Sequence, residues 1–175
     1  MTFALLMIVA GAIYRLVPHP MNVAPVAALA LIGGMSFGKR HALWIPLAIL
    51  AVSDLILNAQ MGYPLLYVPR VIDYIAFAAI GLLGMWLRTR TTSFKVAGAV
   101  ATPVLFFVLS NFGVWLFGLN LANQFYPKTL AGLSECYAAA LPFLRGTLIG
   151  DWAFMTLFAA GLATKPVLGL QPVKA

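Results

Sequence analysis

Charge is what this chain has least of. Charged side chains make up 9% of its 175 residues, and only four of them are acidic. A soluble globule of this size needs far more polar surface to face water, so the chain reads as an integral membrane protein. The rest of the composition agrees, with 63% apolar residues and a mean hydropathy of +0.98. The single cysteine, Cys136, excludes an internal disulfide and any cysteine-based metal cluster. Also missing are a phosphate-binding glycine loop of the G-x-x-x-x-G-K type, an H-E-x-x-H zinc motif and a G-x-S-x-G elbow. No enzyme chemistry, metal site or cofactor is therefore expected, and any ATP-driven step would fall to another subunit.

What is present is a series of apolar runs broken by short basic turns. In a soluble protein a formal charge of +7 would suggest nucleic acid. Here most basic residues sit beside apolar spans, where they act as topology anchors; the expected environment is a lipid bilayer, and no nucleic-acid partner is expected. The densest basic run, Arg88-Thr-Arg-Thr-Thr-Ser-Phe-Lys95, divides the chain near its middle. By the positive-inside rule residues 88–95 form a cytoplasmic loop.

The expected fold is all-α: one transmembrane domain over residues 1–175, polytopic, with about six helices. The first span, Thr2 to Tyr14, is short for a hydrocarbon core of about 30 Å. It has no basic n-region and reads as retained, not as a signal peptide. Arg15-Leu-Val-Pro-His-Pro20 breaks it, because two prolines so close cannot both continue a helix. The second span, Asn22 to Phe37, carries Ala24, Ala28, Ala30, Gly33 and Gly34. Small residues four apart let helices approach closely in lipid, which makes this a packing helix.

The turn Gly38-Lys-Arg-His41 leads to a third span over Leu43 to Asn58, followed by Tyr67 to Leu87, Val96 to Phe117 and Phe143 to Ala163. Residues 120–142 are too polar and interrupted to span, so an extracytoplasmic loop with an interfacial helix around Leu130 to Ala140 is expected. Six spans with residues 88–95 inside place both termini in the cytoplasm. Lys39, Arg40, Arg88, Arg90, Lys95, Lys165 and Lys174 then fall inside, against Arg15, Arg70, Lys128 and Arg145 outside.

Ionisable groups inside a membrane are costly and mark either function or a needed ion pair. Three of the four acids, Asp54, Asp73 and Asp151, lie in expected spans. At about 1.5 Å per residue they and Asn111 all sit roughly 20–24 Å from the cytoplasmic ends of their helices. Arg70 is one turn before Asp73, Asn58 one turn after Asp54 and Trp115 one turn after Asn111, so each pair shares a helix face. Asp54, Asn58, Arg70, Asp73, Asn111, Trp115, Arg145 and Asp151 are the candidate ligand-binding set. They would line an outward pocket roofed by the Asn58 to Tyr67 loop and residues 120–142. Arg70, Arg145 and the outward N-termini of the second, fourth and sixth spans favour an anionic group. The aspartates offset those arginines, which suits a zwitterionic or mixed-polarity ligand. A structural alternative stands beside this one: the aspartates could pair with Arg15, Arg70 and Arg145 only to lock the helices together.

The sequence carries Pro18-His-Pro-Met-Asn22-Val-Ala-Pro-Val-Ala27, Ser53-Asp54, Ser110-Asn-Phe-Gly-Val-Trp115, Tyr126-Pro127, Gly132-Leu133, Cys136-Tyr137, Pro142-Phe143 and Gly150-Asp151. Across nearly its whole length it resembles a family of small bacterial six-helix membrane proteins, with a profile similar to the substrate-binding S components of energy-coupling factor (ECF) transporters. The resemblance implies an S-component-like bundle that captures a vitamin-like small molecule. It also implies a transmembrane coupling protein with ATPase subunits as partners. Standard S components dock through Ala-x-x-x-Ala in the first helix, whereas here Ala10 is followed four on by Tyr14 and the small face lies on the second span. The expected function is a substrate-binding subunit for uptake of a small, partly anionic nutrient. The alternative, from another class, is a small accessory subunit of a larger membrane complex.

Overall fold

Glycine closes two of the long helices, at Gly62 and Gly118, and proline opens the second helix, at Pro25. A computed structural model describes residues 2–62, 68–120 and 122–164. Among them are six helices: α1 (Thr2–Tyr14), α2 (Val26–Ser36), α3 (Trp44–Met61), α4 (Val68–Leu87), α5 (Thr92–Phe117) and α6 (Leu130–Thr164). The described residues form no strand, only an isolated bridge between Leu119 and Phe125. Four helices, α3 to α6, are long and apolar enough to cross a membrane. α1 and α2 have 13 and 11 residues, which at 1.5 Å per residue is only about 20 and 17 Å.

α2 is short because its start is set late. Asn22 takes a left-handed backbone (φ 57°), and Pro25 occupies the N-cap, so the helix begins at Val26 and not at Asn22 as the residue pattern suggests. The short rod is nonetheless the centre of the bundle. Every residue from Ala27 to Gly34 is buried, and α2 packs against all five other helices. Its tightest partner is α4: a methyl group added at Gly34 would overlap the Gly81 carbonyl oxygen and lie 2.9 Å from the Gly84 Cα. Backbone-to-backbone contact of this kind needs glycine on both sides. The small-residue face expected on the second span is thus consumed inside the protein. Around it, Ile8, Leu29, Leu50, Phe77, Ile80, Leu87 and Phe158 form one buried apolar cluster.

Two boundaries differ from the sequence expectation. α5 starts at Thr92 and takes up half of the basic run, leaving residues 88–91 as the turn. The interfacial helix expected over 130–140 is continuous with the sixth span as one 35-residue helix containing Pro142. In both cases contacts with a neighbouring helix accompany the extension: for α5, Phe94 in its first turn meets Trp86 of α4 edge to face, ring centres 6.0 Å apart. For α6 these are the Tyr137 hydroxyl donating to the Val108 carbonyl (2.6 Å) and the Cys136 thiol to the Asn111 carbonyl (3.4 Å), both on α5. Part of the loop expected as a roof, residues 63–67, and the tail with Lys165 and Lys174 lie outside the described residues.

The bundle has two unlike ends. Arg88 at the end of α4 donates from Nη1 to the Phe37 carbonyl at 3.0 Å, so the α2–α3 and α4–α5 turns meet at one end. At the other, the turn of residues 15–25 between α1 and α2 meets α3 and α6.

Candidate functional site

The polar residues of the second end converge on one carboxylate. Asp54 is 4% exposed. Its Oδ1 accepts from Arg15 Nη2 at 2.5 Å, and its Oδ2 accepts from the Tyr74 hydroxyl at 2.7 Å and faces Arg70 Nη1 at 3.2 Å. Arg15 also donates to Ser53 Oγ (2.6 Å), whose own hydroxyl bonds the Leu50 carbonyl, while Arg70 Nη2 reaches Asn58 Oδ1 at 3.3 Å. Local sequence explains the convergence. Asp54 and Asn58 are one turn apart on α3, Arg70 and Tyr74 one turn apart on α4, and Arg15 is the residue at which α1 ends. A buried carboxylate is tolerated only when well paired; this one has two guanidinium groups and a phenol.

The network continues onto α5 through Asp73, whose Oδ1 accepts from the Ser110 hydroxyl at 2.7 Å and which lies within electrostatic reach of Arg70, Asp54 and Arg15. Exposure divides these residues into two groups. Arg15, Ser53, Asp54 and Asn58 are buried, whereas Arg70, Asp73, Tyr74 and Ser110 are each partly exposed. The first group forms a sealed base and the second an accessible edge.

The other candidates lie elsewhere. Asn111 turns away from Asp73, with its amide on the Phe107 carbonyl of its own helix and its backbone oxygen facing Cys136 on α6. Trp115, on the same face, donates from Nε1 to the Pro127 carbonyl at 2.9 Å and packs under the Lys128 ammonium, 5.6 Å from the ring centre. Arg145 is exposed on α6. Asp151 is fully buried and accepts the Ala28 backbone N–H at 2.8 Å through Oδ1. It caps the first turn of α2, whose own N-cap residue, Pro25, offers no side-chain bond. Gly150 permits this, since a methyl there would press on the Ala24 backbone.

Four participants lie outside the candidate set. Tyr74 and Ser110 are neighbours of the chosen Asp73 and Asn111, and Ser53 precedes Asp54, so adjacency was the available signal. Arg15, outside the binding set but named as an ion-pair partner in the structural alternative, reaches back into the layer to Asp54.

The turn of residues 15–25 is recessed between the longer helices. The α6 backbone meets it at Gly146, where a methyl would overlap the Met21 carbonyl oxygen. α6 begins at Leu130, so about 24 Å of helix lies beyond that contact, still packed on α5 through Tyr137. α3 likewise continues from Asp54 to Met61, roughly another 10 Å. Met21, at 73% exposure, and Val17 therefore lie below the ends of α3 and α6. A separate groove of about 350 Å³ runs between α1 and α3, lined by Val9, Ala12, Ile13, Ile49, Val52 and Ile56 with Ser53 at its edge; its apolar walls do not suit a polar solute. Among the described residues no group of histidine, cysteine and carboxylate side chains could hold a metal ion.

No curated protein and no solved structure matches this chain. Residues 1–167 match the family described as DUF6580, a family of unknown function, and the chain belongs to that family.

Proposed function

We propose that the protein is a membrane-embedded binding subunit that captures a small, partly anionic solute in the recess above residues 15–25. The single observation that carries this reading is the accessible edge of the polar layer. Arg70, Asp73, Tyr74 and Ser110, from two helices, remain partly exposed beside a sealed Arg15–Asp54 base. Two arginines against two aspartates leave the layer close to neutral, which fits a zwitterion or a molecule joining a carboxylate to hydroxyl or amide groups. Arg70 would take the carboxylate, since guanidinium binds carboxylate in a planar fork. Asp73 would take a donor on the ligand, with Asn58 supporting Arg70 from behind. Asn111, Trp115, Arg145 and Asp151 remain candidates at greater remove; Trp115 would act through the loop it anchors.

In this reading the bundle is of the S-component type, resident in a bacterial inner membrane with both termini cytoplasmic. The charge division supports that orientation. Among the described residues Lys39, Arg40, Arg88, Arg90 and Lys95 stand at one end without an acid, while the acids Asp54, Asp73 and Glu135 accompany the basic residues of the other. A coupling protein with ATPase subunits would supply the energy for release.

A second reading has its own observation. Asp54 is already matched by three donors and Asp151 by a helix N-terminus, so the layer could serve only to lock helices in an accessory subunit of a larger complex. Native mass spectrometry of the full chain, extracted gently from its own membrane, separates the two. A co-purifying small molecule lost in Arg70→Gln and Asp73→Asn, at unchanged melting temperature, supports capture. Retention that is indifferent to both substitutions, or stoichiometric partner proteins with no small molecule, overturns it.

A further inference from the structure

The opposite end of the bundle carries a surface that the solute site does not use. The α2–α3 turn bears Lys39 and Arg40, and the α4–α5 turn bears Arg88 and Arg90, all four exposed. The two turns are joined where Arg88 Nη1 meets the Phe37 carbonyl at 3.0 Å, under the close glycine packing of α2 on α4. Lys95 follows one turn into α5. The four acids of the whole chain are Asp54, Asp73, Glu135 and Asp151, so no carboxylate lies in either turn to neutralise these cations.

Aromatic rings flank the cations. The Arg90 guanidinium lies over Trp86, 4.5 Å from the ring centre, and Trp86 meets Phe94 edge to face at 6.0 Å. Trp44, at the start of α3, is 75% exposed, Phe94 53% and Trp86 48%. Large exposed rings beside basic side chains at a helix end mark the level of lipid headgroups, and basic clusters between transmembrane helices recognise anionic headgroups. Stacking on Trp86 restricts Arg90 before any ligand arrives, which reduces the ordering cost of binding.

We propose that the Lys39, Arg40, Arg88 and Arg90 surface is a binding site for an anionic phospholipid. Its phosphate lies between the two turns, and its acyl chains run along the exposed Trp86 and Phe94. The site is independent of the solute reading at the other end. It differs from a general positive-inside bias in being local, with two turns held together and one guanidinium prearranged.

The test is native mass spectrometry of the full chain in mixed micelles of phosphatidylglycerol and phosphatidylcholine. The expected result is at least tenfold preferential retention of phosphatidylglycerol. That preference falls at least fivefold in the triple variant Lys39→Gln, Arg40→Gln, Arg90→Gln and is unchanged in Lys128→Gln at the other end. Equal retention of the two lipids, or an equal loss in Lys128→Gln, overturns the proposal. Competition by millimolar inorganic phosphate alone would identify a soluble anion as the occupant and likewise overturn it. Should the triple variant fail to fold, the wild-type protein still decides the matter: the preference must weaken strongly at 0.5 M salt, since exposed charges are screened, and a salt-independent preference rejects the site.

Discussion

The Asp151 carboxylate on α6 accepts the backbone N–H of Ala28 in the first turn of α2, 2.8 Å away. One helix thereby supplies the cap that another lacks, across 123 residues of sequence. Removing it leaves a buried α2 terminus with unsatisfied donors. Asp151→Ala is expected to destabilise the fold by about 2 kcal/mol, combining cap loss with an unmet buried hydrogen bond. Asp151→Asn keeps an acceptor oxygen and should cost less than half as much. Thermal unfolding in detergent checks both; equal losses would mean that the site needs the carboxylate itself and not merely an acceptor.

Asp54 stands under a heavier load. Truncating one partner of a buried ion pair leaves the other charge uncompensated, so Asp54→Ala is expected to cost about 3–5 kcal/mol and to lower the yield of folded protein. Arg15→Met should cost less, because Arg70 and Tyr74 still face the carboxylate. A double-mutant cycle between the two positions should return a coupling of at least about 1 kcal/mol, since neighbours in one network are not additive. Additive effects would show that the crossing from α1 to α3 is held by apolar packing alone.

Much of this was legible beforehand, and what was not has a common cause. Apolar run length revealed the long helices, and one-turn spacing placed Asn58 beside Asp54 on α3 and Arg70 beside Asp73 on α4, because both are properties of a single helix. The candidate set names Asn111 for its depth and not its neighbour Ser110, which bonds Asp73, since depth along a helix says nothing about which side faces α4. The cap role of Asp151 depends on a backbone N–H, which leaves no residue-type signal. Arg15 illustrates the limit in reverse: its position at the end of α1 was correct, but its side chain spans several ångströms that a residue count ignores.

Gly34 and Gly84 test the central packing. A methyl at either position would meet backbone atoms of the facing helix, which cannot swing aside as a side chain can. Gly84→Ala is therefore expected to cost about 1–3 kcal/mol by overpacking. Gly38→Ala, with no atom within 4 Å of the new methyl, should be neutral. Comparable melting temperatures for the two variants would mean that α2 and α4 can separate without penalty.

Side-chain hydrogen bonds fasten the loop between α5 and α6. Trp115 Nε1 donates to the Pro127 carbonyl at 2.9 Å, and Lys128 Nζ reaches back to the carbonyls of Trp115 and Tyr126. Trp115→Phe keeps an aromatic ring beside Lys128 but removes the indole donor. The α5–α6 contacts through Tyr137 and Cys136 are untouched, so the bundle should melt within a few degrees of wild type. Loss of one such bond is worth about 1 kcal/mol, and opening of residues 118–120 and 122–129 should become roughly five- to tenfold more frequent. Hydrogen exchange of those amides, followed against the α5 core as an internal standard, reads that change directly. If exchange rises equally in both, the loop and the bundle open as one unit, and Trp115 acts on the fold instead of on the segment that borders the recess.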